Sequence, residues 1–240
     1  TKLNNAEATE KFLKEVKDAV FTVSSIDKKP GTRNPGAPFT TSTLQQEAAR
    51  KLGYSVRQTM TLAQRLYESG NITYMRTDST TLSGQAIKSA EEFIKKEFGA
   101  NYHQVRQFKT KSAGAQEAHE AIRPTLFTTK TAGDDEQQKK LYSLIWKRAL
   151  ASQMAPAVID KTDVIINISN RNETFVAKGE ILKFDGFLKV YGGGKDDSIL
   201  QNLKGGQTVA NKQIVATETF RRHPDRYAEA TLVRTREERG

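Results

Sequence analysis

The spacing of apolar residues changes along the chain, and this change limits the possible folds more than any other feature. Between residues 42 and 153 apolar residues recur every three or four positions, as they do on one face of an α-helix. From residue 161 the spacing becomes two, the period of a β-strand, in the runs TDVIINI, ETFVAKGEI, FLKVYGG and QTVANKQIVATETF. A similar alternating run, VFTVSSI, lies ahead of the helical stretch at residues 20–26.

This order of patterns predicts a fold of the α+β class. A helical insertion leaves the two halves of a β domain adjacent, so we assign residues 1–38 and 155–224 to one discontinuous β-rich domain and residues 39–154 to a helical domain. Residues 28–38 contain three prolines and two glycines and are predicted to be a linker. Residues 6–17 and 225–240 look like interrupted helices, so we expect the chain to be a fragment of a longer protein.

The helical stretch begins with two predicted helices that resemble a helix-turn-helix. Ser42 and Gln45 have the spacing of a capping box, and the apolar period that follows ends at Gly53. Ser55 and Gln58 repeat the box, and the next apolar face is predicted to consist of Val56, Met60, Ala63 and Tyr67. Further helices are predicted near residues 86–98 and 134–153, with a short helical piece at residues 116–123 that Pro124 ends.

The charge of the chain favours a polyanionic partner. The net charge is +10, and residues 39–158 hold six of these ten charges because they carry 17 basic and 11 acidic side chains. A lysine-rich surface selected for solubility is an equally good interpretation of charge alone. The absence of cysteine excludes disulfides and thiolate chemistry, and no apolar run is long enough to span a membrane, so we expect a soluble, cytoplasmic protein.

The run GNITYMRTDS at residues 70–79 carries the strongest chemical signal. If the run is extended, Ile72, Tyr74, Arg76 and Asp78 share one face. A guanidinium beside a phenol would stabilise the phenolate and can bind a phosphate oxygen through two hydrogen bonds, so Tyr74 is a candidate nucleophile. Asp78 would hold Arg76 in place or assist proton movement. The alternative is a tyrosine that merely packs against the protein, as most tyrosines on strands do.

The run QEAHEAIRP at residues 116–124 is the second candidate site. On a helix, Gln116, His119 or Glu120, and Arg123 would share a face, and a protonated His119 with Arg123 would form an anion clamp. From spacing alone a surface network of ion pairs is the better interpretation. The histidines, His103 among them, are too scattered to indicate a metal site.

Three separated segments resemble motifs of the type IA DNA topoisomerases, in the order in which that family has them. They are PFTTSTLQQEAARKLGY at residues 38–54, LAQRLYESGNITYMRTDSTTLS at residues 62–83, and QEAHEAIRP at residues 116–124. Met75, which follows the tyrosine, resembles the bacterial topoisomerase I branch, since the topoisomerase III branch usually carries proline there.

The resemblance implies a function for the parent enzyme: relaxation of negatively supercoiled DNA without ATP. Tyr74 would attack a phosphodiester of single-stranded DNA, form a 5′-phosphotyrosyl bond and free a 3′-hydroxyl for rejoining. Arg76 would stabilise the phosphoryl transition state, His119 would contact the scissile phosphate, and Asp78 would support the site. Weaker candidates for DNA contact are Gln45, Gln46 and Arg123.

The resemblance also implies what lies outside the chain. The two domains would form an arch through which duplex DNA passes, and residues 225–240 would begin a strand-binding helical domain. An acidic domain that binds Mg²⁺ is absent here, so we expect the fragment to bind no metal and to be inactive alone. We also expect the fragment to be monomeric and its parent to act at the bacterial nucleoid. Arg236 and Arg239 stand where the family has apolar residues, and no site residue is assigned there.

Two other functions are compatible with parts of the pattern. The first is a non-enzymatic DNA-binding module that uses the helix-turn-helix at residues 42–69, with Tyr74 merely packed. The second is a tyrosine recombinase, whose chemistry leaves a 3′-phosphotyrosine and requires several arginines and histidines around the tyrosine. The motifs found here do not supply that set.

Overall fold

The computed structural model describes residues 5–108, 120–192, 203–220, 223, 226–232 and 235. Its elements, in chain order, are α1 (Ala6–Val16), β1 (Phe21–Arg33), α2 (Thr41–Leu52), α3 (Val56–Glu68), α4 (Gly84–Glu97), a 3₁₀ helix (Ala100–Tyr102), α5 (Glu136–Ser152), β2 (Ala157–Ile168), β3 (Thr174–Phe184), α6 (Leu188–Tyr191) and β4 (Thr208–Val209). The predicted α+β class is confirmed. None of the described helices is long and apolar enough to cross a membrane.

The chain divides into two compact units. One contains Thr1–Arg33, Val158–Phe184 and Gly194–Pro224, and the other contains Asn34–Ala157, Asp185–Gly193 and Asp225–Gly240. The first unit holds the sheet, and the second holds helices α2 to α6.

The helical unit is built around α5, against which α2, α3 and α6 pack. Ten of the residues of α5 are buried, including Leu141, Ile145 and Leu150. Trp146 of α5 lies edge-to-face with Phe93 of α4, with ring centroids 5.7 Å apart, and its indole N–H donates to the Phe127 carbonyl at 2.9 Å. These contacts bury large apolar side chains while satisfying the polar atom of the tryptophan.

The predicted pair of helices at residues 42–69 is present, with one boundary moved. Helix α2 begins two residues earlier than predicted, because Thr40 is the N-cap and forms the capping box with Thr43. Ser42 therefore lies inside the helix and is buried. Gly53 ends α2 with a φ of 69°, and Ser55 caps α3 by accepting from the Gln58 N–H, both as predicted.

The predicted apolar face of α3 was correct at Ala63 and wrong at Tyr67. The residues that α3 buries are Thr59, Leu62, Ala63 and Leu66. Tyr67, which was assigned to the core, is 42% exposed. The error arose because the helix carries apolar residues on two adjoining faces, and the sequence alone does not tell which face the rest of the unit covers.

The sheet has four strands in the order β3-β2-β1-β4. Strands β2 and β3 form an antiparallel hairpin, and β1 pairs with β4 through Phe21↔Val209 and Thr22↔Thr208. The expectation that the N-terminal strand joins the C-terminal strands is therefore confirmed. Val16, Phe21 and Ile168 form the core of this unit, with Phe12 and Ile214 packed against it.

Three predictions of local structure were wrong. Strand β1 continues through Pro30 and Gly31 to Arg33, where a linker was expected. The run FLKVYGG forms the short helix α6 instead of a strand, since Gly186 turns the chain with a φ of 50° and Phe187 N–H donates to the Ala155 carbonyl. Of the last predicted strand only Thr208–Val209 forms a strand, and beside it the Gln207 carbonyl accepts from Val23 N–H of β1 at 2.9 Å.

Candidate active site

The three segments singled out in the sequence meet in the helical unit. Ile122 N–H donates to the Phe39 carbonyl at 2.8 Å, which joins the third segment to the first. Ala121 N–H donates to the Thr81 carbonyl at 2.8 Å, and Thr73 N–H donates to the Arg123 carbonyl at 2.9 Å, which joins the third segment to the second. Residues more than 30 positions apart in sequence thus share one hydrogen-bonded scaffold.

Two threonine hydroxyls complete this scaffold on either side of Tyr74. Thr73 Oγ1 donates to the Ala121 carbonyl at 2.7 Å and accepts from Arg123 N–H at 3.0 Å. Thr41 Oγ1 donates to the Met75 carbonyl at 2.8 Å and accepts from Thr77 N–H at 2.9 Å. The backbone before and after Tyr74 is therefore fixed to two other segments, although residues 73–83 belong to no helix or strand.

Side chains along this run alternate between the interior and the solvent. Tyr74 is 43% exposed, and Arg76 and Asp78 are exposed as well, while Met75, Thr77 and Ser79 are buried. The phenol, the guanidinium and the carboxylate therefore all face solvent. Ile72 is buried, so the expectation that it lines up with the three polar residues was wrong. The chain bends at Thr73, which shifts the alternation between Ile72 and Tyr74.

The Tyr74 ring has one aromatic neighbour among the described residues, Tyr67 at the end of α3. The two ring centroids are 5.2 Å apart and the rings meet at 67° in an edge-to-face arrangement. Sequence reasoning missed Tyr67 because its spacing fitted a core position. The usable signal was its place one helical turn before the Gly70 that leads into the tyrosine run.

Arg76 and Asp78 form no ion pair or hydrogen bond with any part of the chain that the structure describes. The predicted role of Asp78 as the partner of Arg76 is thus not realised in this state. Both side chains are left available to a molecule that approaches the exposed side of Tyr74.

Glu120 and Arg123 form an ion pair that supports the third segment. Arg123 Nη2 lies 2.6 Å from Glu120 Oε2, and Ser83 N–H donates to Glu120 Oε1 at 2.5 Å. Burial raises the pKa of the Glu120 carboxyl, but the hydrogen bonds from Arg123 and Ser83 outweigh burial and hold the pKa below its ordinary value of 4.5. The pair ties the segment to the N-cap of α4.

The predicted helix at residues 116–123 was wrong for the part that is described. Residues 120–124 are extended, with Ile122 bridged to Phe39 and Pro124 bridged to Ile72. Backbone partners from two other segments override the helical spacing of this run. Gln116 and His119 lie outside the described residues.

The three candidates for DNA contact differ in their surroundings. The Arg123 side chain is 14% exposed and is engaged by Glu120 and the Pro124 carbonyl. Gln45 is 6% exposed, and its Oε1 is buried without a partner among the described residues. Gln46 is half-buried and donates to Ser42 Oγ at 3.0 Å. All three face the protein in this state.

Within the described ranges, no three histidine, aspartate or glutamate side chains lie close enough together to hold a metal ion. The chemistry that the site offers is therefore that of an exposed phenol on a fixed backbone, with a guanidinium and a carboxylate two and four residues further along.

The DNA topoisomerase family matches this chain over residues 1–240. A protein of Acanthamoeba polyphaga mimivirus, named DNA topoisomerase 1 type prokaryotic, is 44% identical over 249 residues, which cover 95% of this chain and 29% of that protein. DNA topoisomerase 1 of Zymomonas mobilis is 43% identical over 239 residues, which cover 94% of this chain and 20% of that protein.

Among solved structures, full-length topoisomerase I from Thermotoga maritima is similar to this chain with a TM-score of 0.82 and 35% sequence identity. The match covers 99% of this chain and 40% of that one. The chain spans less than a third of the length of the two relatives named above.

Proposed function

The chain belongs to the DNA topoisomerase family, and from this premise we propose that it is the central part of a bacterial-type topoisomerase I in which Tyr74 is the nucleophile. The observation that carries the proposal is the exposure of Tyr74, Arg76 and Asp78 on a backbone that Thr41 and Thr73 anchor on both sides. A nucleophile must be both accessible and held in place, and this segment meets both conditions.

In the proposed reaction the Tyr74 oxygen attacks the phosphorus of a phosphodiester in single-stranded DNA. The new bond joins that oxygen to the 5′-phosphate and the bond from phosphorus to the 3′-oxygen breaks. The phenol loses its proton, and the leaving 3′-oxygen gains one and becomes the 3′-hydroxyl. Rejoining is the reverse transfer. Because one phosphodiester is exchanged for another, the cycle requires no ATP.

The surrounding side chains have separate roles in this proposal. Arg76 neutralises charge on the non-bridging phosphate oxygens, which a guanidinium does through two parallel hydrogen bonds. His119 contacts the same phosphate, and Asp78 orients Arg76 once DNA is bound. Arg123 acts through the scaffold, since its guanidinium is already paired with Glu120.

Mg²⁺, which the family resemblance implies, does not fit the described residues, because they contain no cluster of acidic or histidine side chains. We assign the ion to a part of the enzyme outside this chain. Without that ion, the chain alone should not cleave DNA. Its net charge of +10 should still let it bind DNA weakly and in a salt-dependent way.

The arrangement of the whole enzyme is part of the same proposal. The helical domain at residues 39–154 carries the nucleophile, residues 1–38 and 155–224 form the β-rich domain, and residues 225–240 lead into a strand-binding domain. The parent enzyme acts on DNA in the cytoplasm.

The test uses a full-length polypeptide that contains this chain, with Mg²⁺ and single-stranded DNA labelled at either end. We expect a covalent adduct on the 5′-phosphate side of the break, and we expect Tyr74→Phe to abolish it. Tyr227→Phe is the matched control, because it removes the same hydroxyl from a tyrosine that is 64% exposed elsewhere. An adduct that survives Tyr74→Phe would refute the assignment.

The same experiment separates the alternatives. A 3′-phosphotyrosine would indicate recombinase chemistry. DNA binding without any adduct, by a folded full-length protein, would favour a module that uses only the pair of helices α2 and α3.

A further inference from the structure

Tyr67 is the aromatic residue that the proposed mechanism has not used. It lies at the C-terminal end of α3, its side chain is 42% exposed, and its ring meets the Tyr74 ring at a centroid distance of 5.2 Å. Neither phenol hydroxyl has a hydrogen-bond partner among the described residues. Ring contact is therefore a direct restraint that the described chain places on the Tyr74 side chain.

The backbone at Tyr67 is held in place by hydrogen bonds. The preceding residue, Leu66, is fully buried, and its carbonyl accepts from Asn71 N–H at 2.9 Å. The Tyr67 carbonyl accepts from Gly70 N–H at 2.8 Å. Tyr67 is thus held where the helix ends and the chain turns into the tyrosine run.

The backbone at Tyr74 is held in place as well, because its neighbours Thr73 and Met75 are hydrogen-bonded to other segments. What the backbone does not fix is the pair of side-chain torsions that point the phenol oxygen. A partly exposed tyrosine can otherwise occupy several rotamers. An edge-to-face partner favours those rotamers in which the contact forms.

We propose that Tyr67 is a positioning residue, which holds the Tyr74 ring in the orientation from which its oxygen attacks the phosphodiester. The proposal rests on Tyr74 being the nucleophile. An edge-to-face pair contributes enough to change the population of the competent orientation by about 2- to 12-fold. The rate of the chemical step changes by the same factor, since only molecules with the ring in place react.

An exposed aromatic ring beside a DNA site has a competing role, which is to stack on a base of the bound strand. The two roles affect different quantities. Loss of a stacking partner weakens DNA binding, whereas loss of a positioning partner slows cleavage of DNA that is already bound.

The first measurement uses the chain itself, with its tyrosine rings labelled for NMR. Tyr67→Ala should shift the Tyr74 ring signals, because the neighbouring ring current and the restraint on the side-chain torsions are both removed. Tyr67→Phe keeps the ring and should leave the Tyr74 signals nearly unchanged. Tyr74 signals that are unmoved by Tyr67→Ala would show that the contact does not persist in solution and would overturn the proposal.

The second measurement uses the full-length polypeptide at saturating single-stranded DNA, under single-turnover conditions. We expect Tyr67→Ala and Tyr67→Leu to slow adduct formation by about 2- to 12-fold with an unchanged dissociation constant for DNA. Tyr67→Phe should restore the rate. Thr61→Ala, an exposed change on the same helix, is the control for α3 itself.

The outcomes separate this proposal from the proposed function. If Tyr74→Phe abolishes the adduct and Tyr67→Ala leaves the rate unchanged, the positioning role is refuted and the nucleophile stands. A variant that only weakens DNA binding, with a normal rate at saturation, would make Tyr67 a stacking residue. An adduct that survives Tyr74→Phe removes the premise of both.

Discussion

Strand β2 of the β2–β3 hairpin and the segment that carries Tyr74 both place buried side chains between more exposed ones, but different interactions hold them. The hairpin is an antiparallel ladder in which neighbours in sequence supply the partners, from Val158↔Phe184 to Asn167↔Thr174. The tyrosine segment, residues 70–83, has no ladder. Among its partners are Thr41, Ala121 and Arg123, which lie 34 to 50 positions away in sequence.

This difference has a functional meaning. A ladder hydrogen-bonds nearly every backbone group and leaves a strand little freedom to present one side chain apart from the others. Hydrogen bonds hold the tyrosine segment at only some of its backbone atoms, so the side chains between these atoms can face solvent on a fixed backbone. Active residues are commonly placed on such loops, supported by a rigid scaffold.

The largest effect should come from removing one of these anchors. Thr41→Val keeps the shape of the side chain but removes the hydroxyl that binds Met75 and Thr77, which leaves the buried Thr77 N–H unpaired. We expect a loss of about 1–3 kcal/mol in the free energy of unfolding, and slower adduct formation in the full-length protein. Urea denaturation of the chain measures the first effect.

Thr61→Val is the control for this substitution. Thr61 Oγ1 donates only to the Arg57 carbonyl on the exposed side of α3, so the change should stay within about 0.5 kcal/mol. Equal effects at Thr41 and Thr61 would mean that the anchor does not support the segment.

The contrast between local and distant partners also explains what the sequence could predict. Ser55 and Gly53 cap helices through residues at most five positions away, and both were assigned correctly. The run at residues 120–124 has helical spacing, yet its partners Phe39 and Ile72 come from distant segments and make it extended. Local patterns do not contain that information.

In the site, too, the sequence could predict only those features that depend on neighbours within a short run. The exposure of Tyr74, Arg76 and Asp78 on one side follows from alternation within a short run. The contact with Tyr67 depends on how α3 packs, and the burial of Gln45 depends on which face of α2 the core covers. Neither the contact with Tyr67 nor the burial of Gln45 could therefore be predicted from residue spacing.

The next prediction concerns the ion pair that braces the third segment. Glu120→Gln removes the charge that accepts from Arg123 and Ser83, and it should cost about 1–2 kcal/mol near pH 7. The folded-state pKa of Glu120 lies below 4.5, so its contribution is complete above that pH and is lost as the pH falls through the folded value. The advantage of wild type over the variant should thus shrink in acid.

Thermal unfolding between pH 3 and pH 7 measures this difference. Glu136→Gln is the matched control, because Glu136 is 77% exposed in its pair with Lys139. That pair should contribute less than about 0.5 kcal/mol at any pH. A difference between wild type and Glu120→Gln that stays constant down to pH 3 would contradict the assignment.

A smaller effect, of opposite sign, is expected at Gln45. Its Oε1 is buried without a partner among the described residues, so Gln45→Met should raise the free energy of unfolding by about 1 kcal/mol. Because the side chain is 6% exposed, the affinity of the chain for single-stranded DNA should not change. Fluorescence anisotropy checks the affinity, and thermal unfolding checks the stability.

Gln46→Met tests the neighbouring position in the same helix. Gln46 donates to Ser42 Oγ, so this variant should lose stability where Gln45→Met gains it. Weaker DNA binding by Gln45→Met would instead support the contact predicted from the sequence, and would require α2 to open on binding.

The smallest effect belongs to the hairpin, and it completes the contrast with the tyrosine segment. Ile165 lies opposite Val176 on the exposed face of the sheet and is 37% exposed, so Ile165→Thr should change the free energy of unfolding by no more than about 0.5 kcal/mol. The adjacent Val164 is 1% exposed, and Val164→Thr would bury a hydroxyl at a cost of about 1–3 kcal/mol. Urea denaturation of both variants would show whether the buried side chains, and not the exposed ones, stabilise this hairpin. A large loss at Ile165 would mean that the exposed face of the hairpin is as dependent on single side chains as the tyrosine segment is.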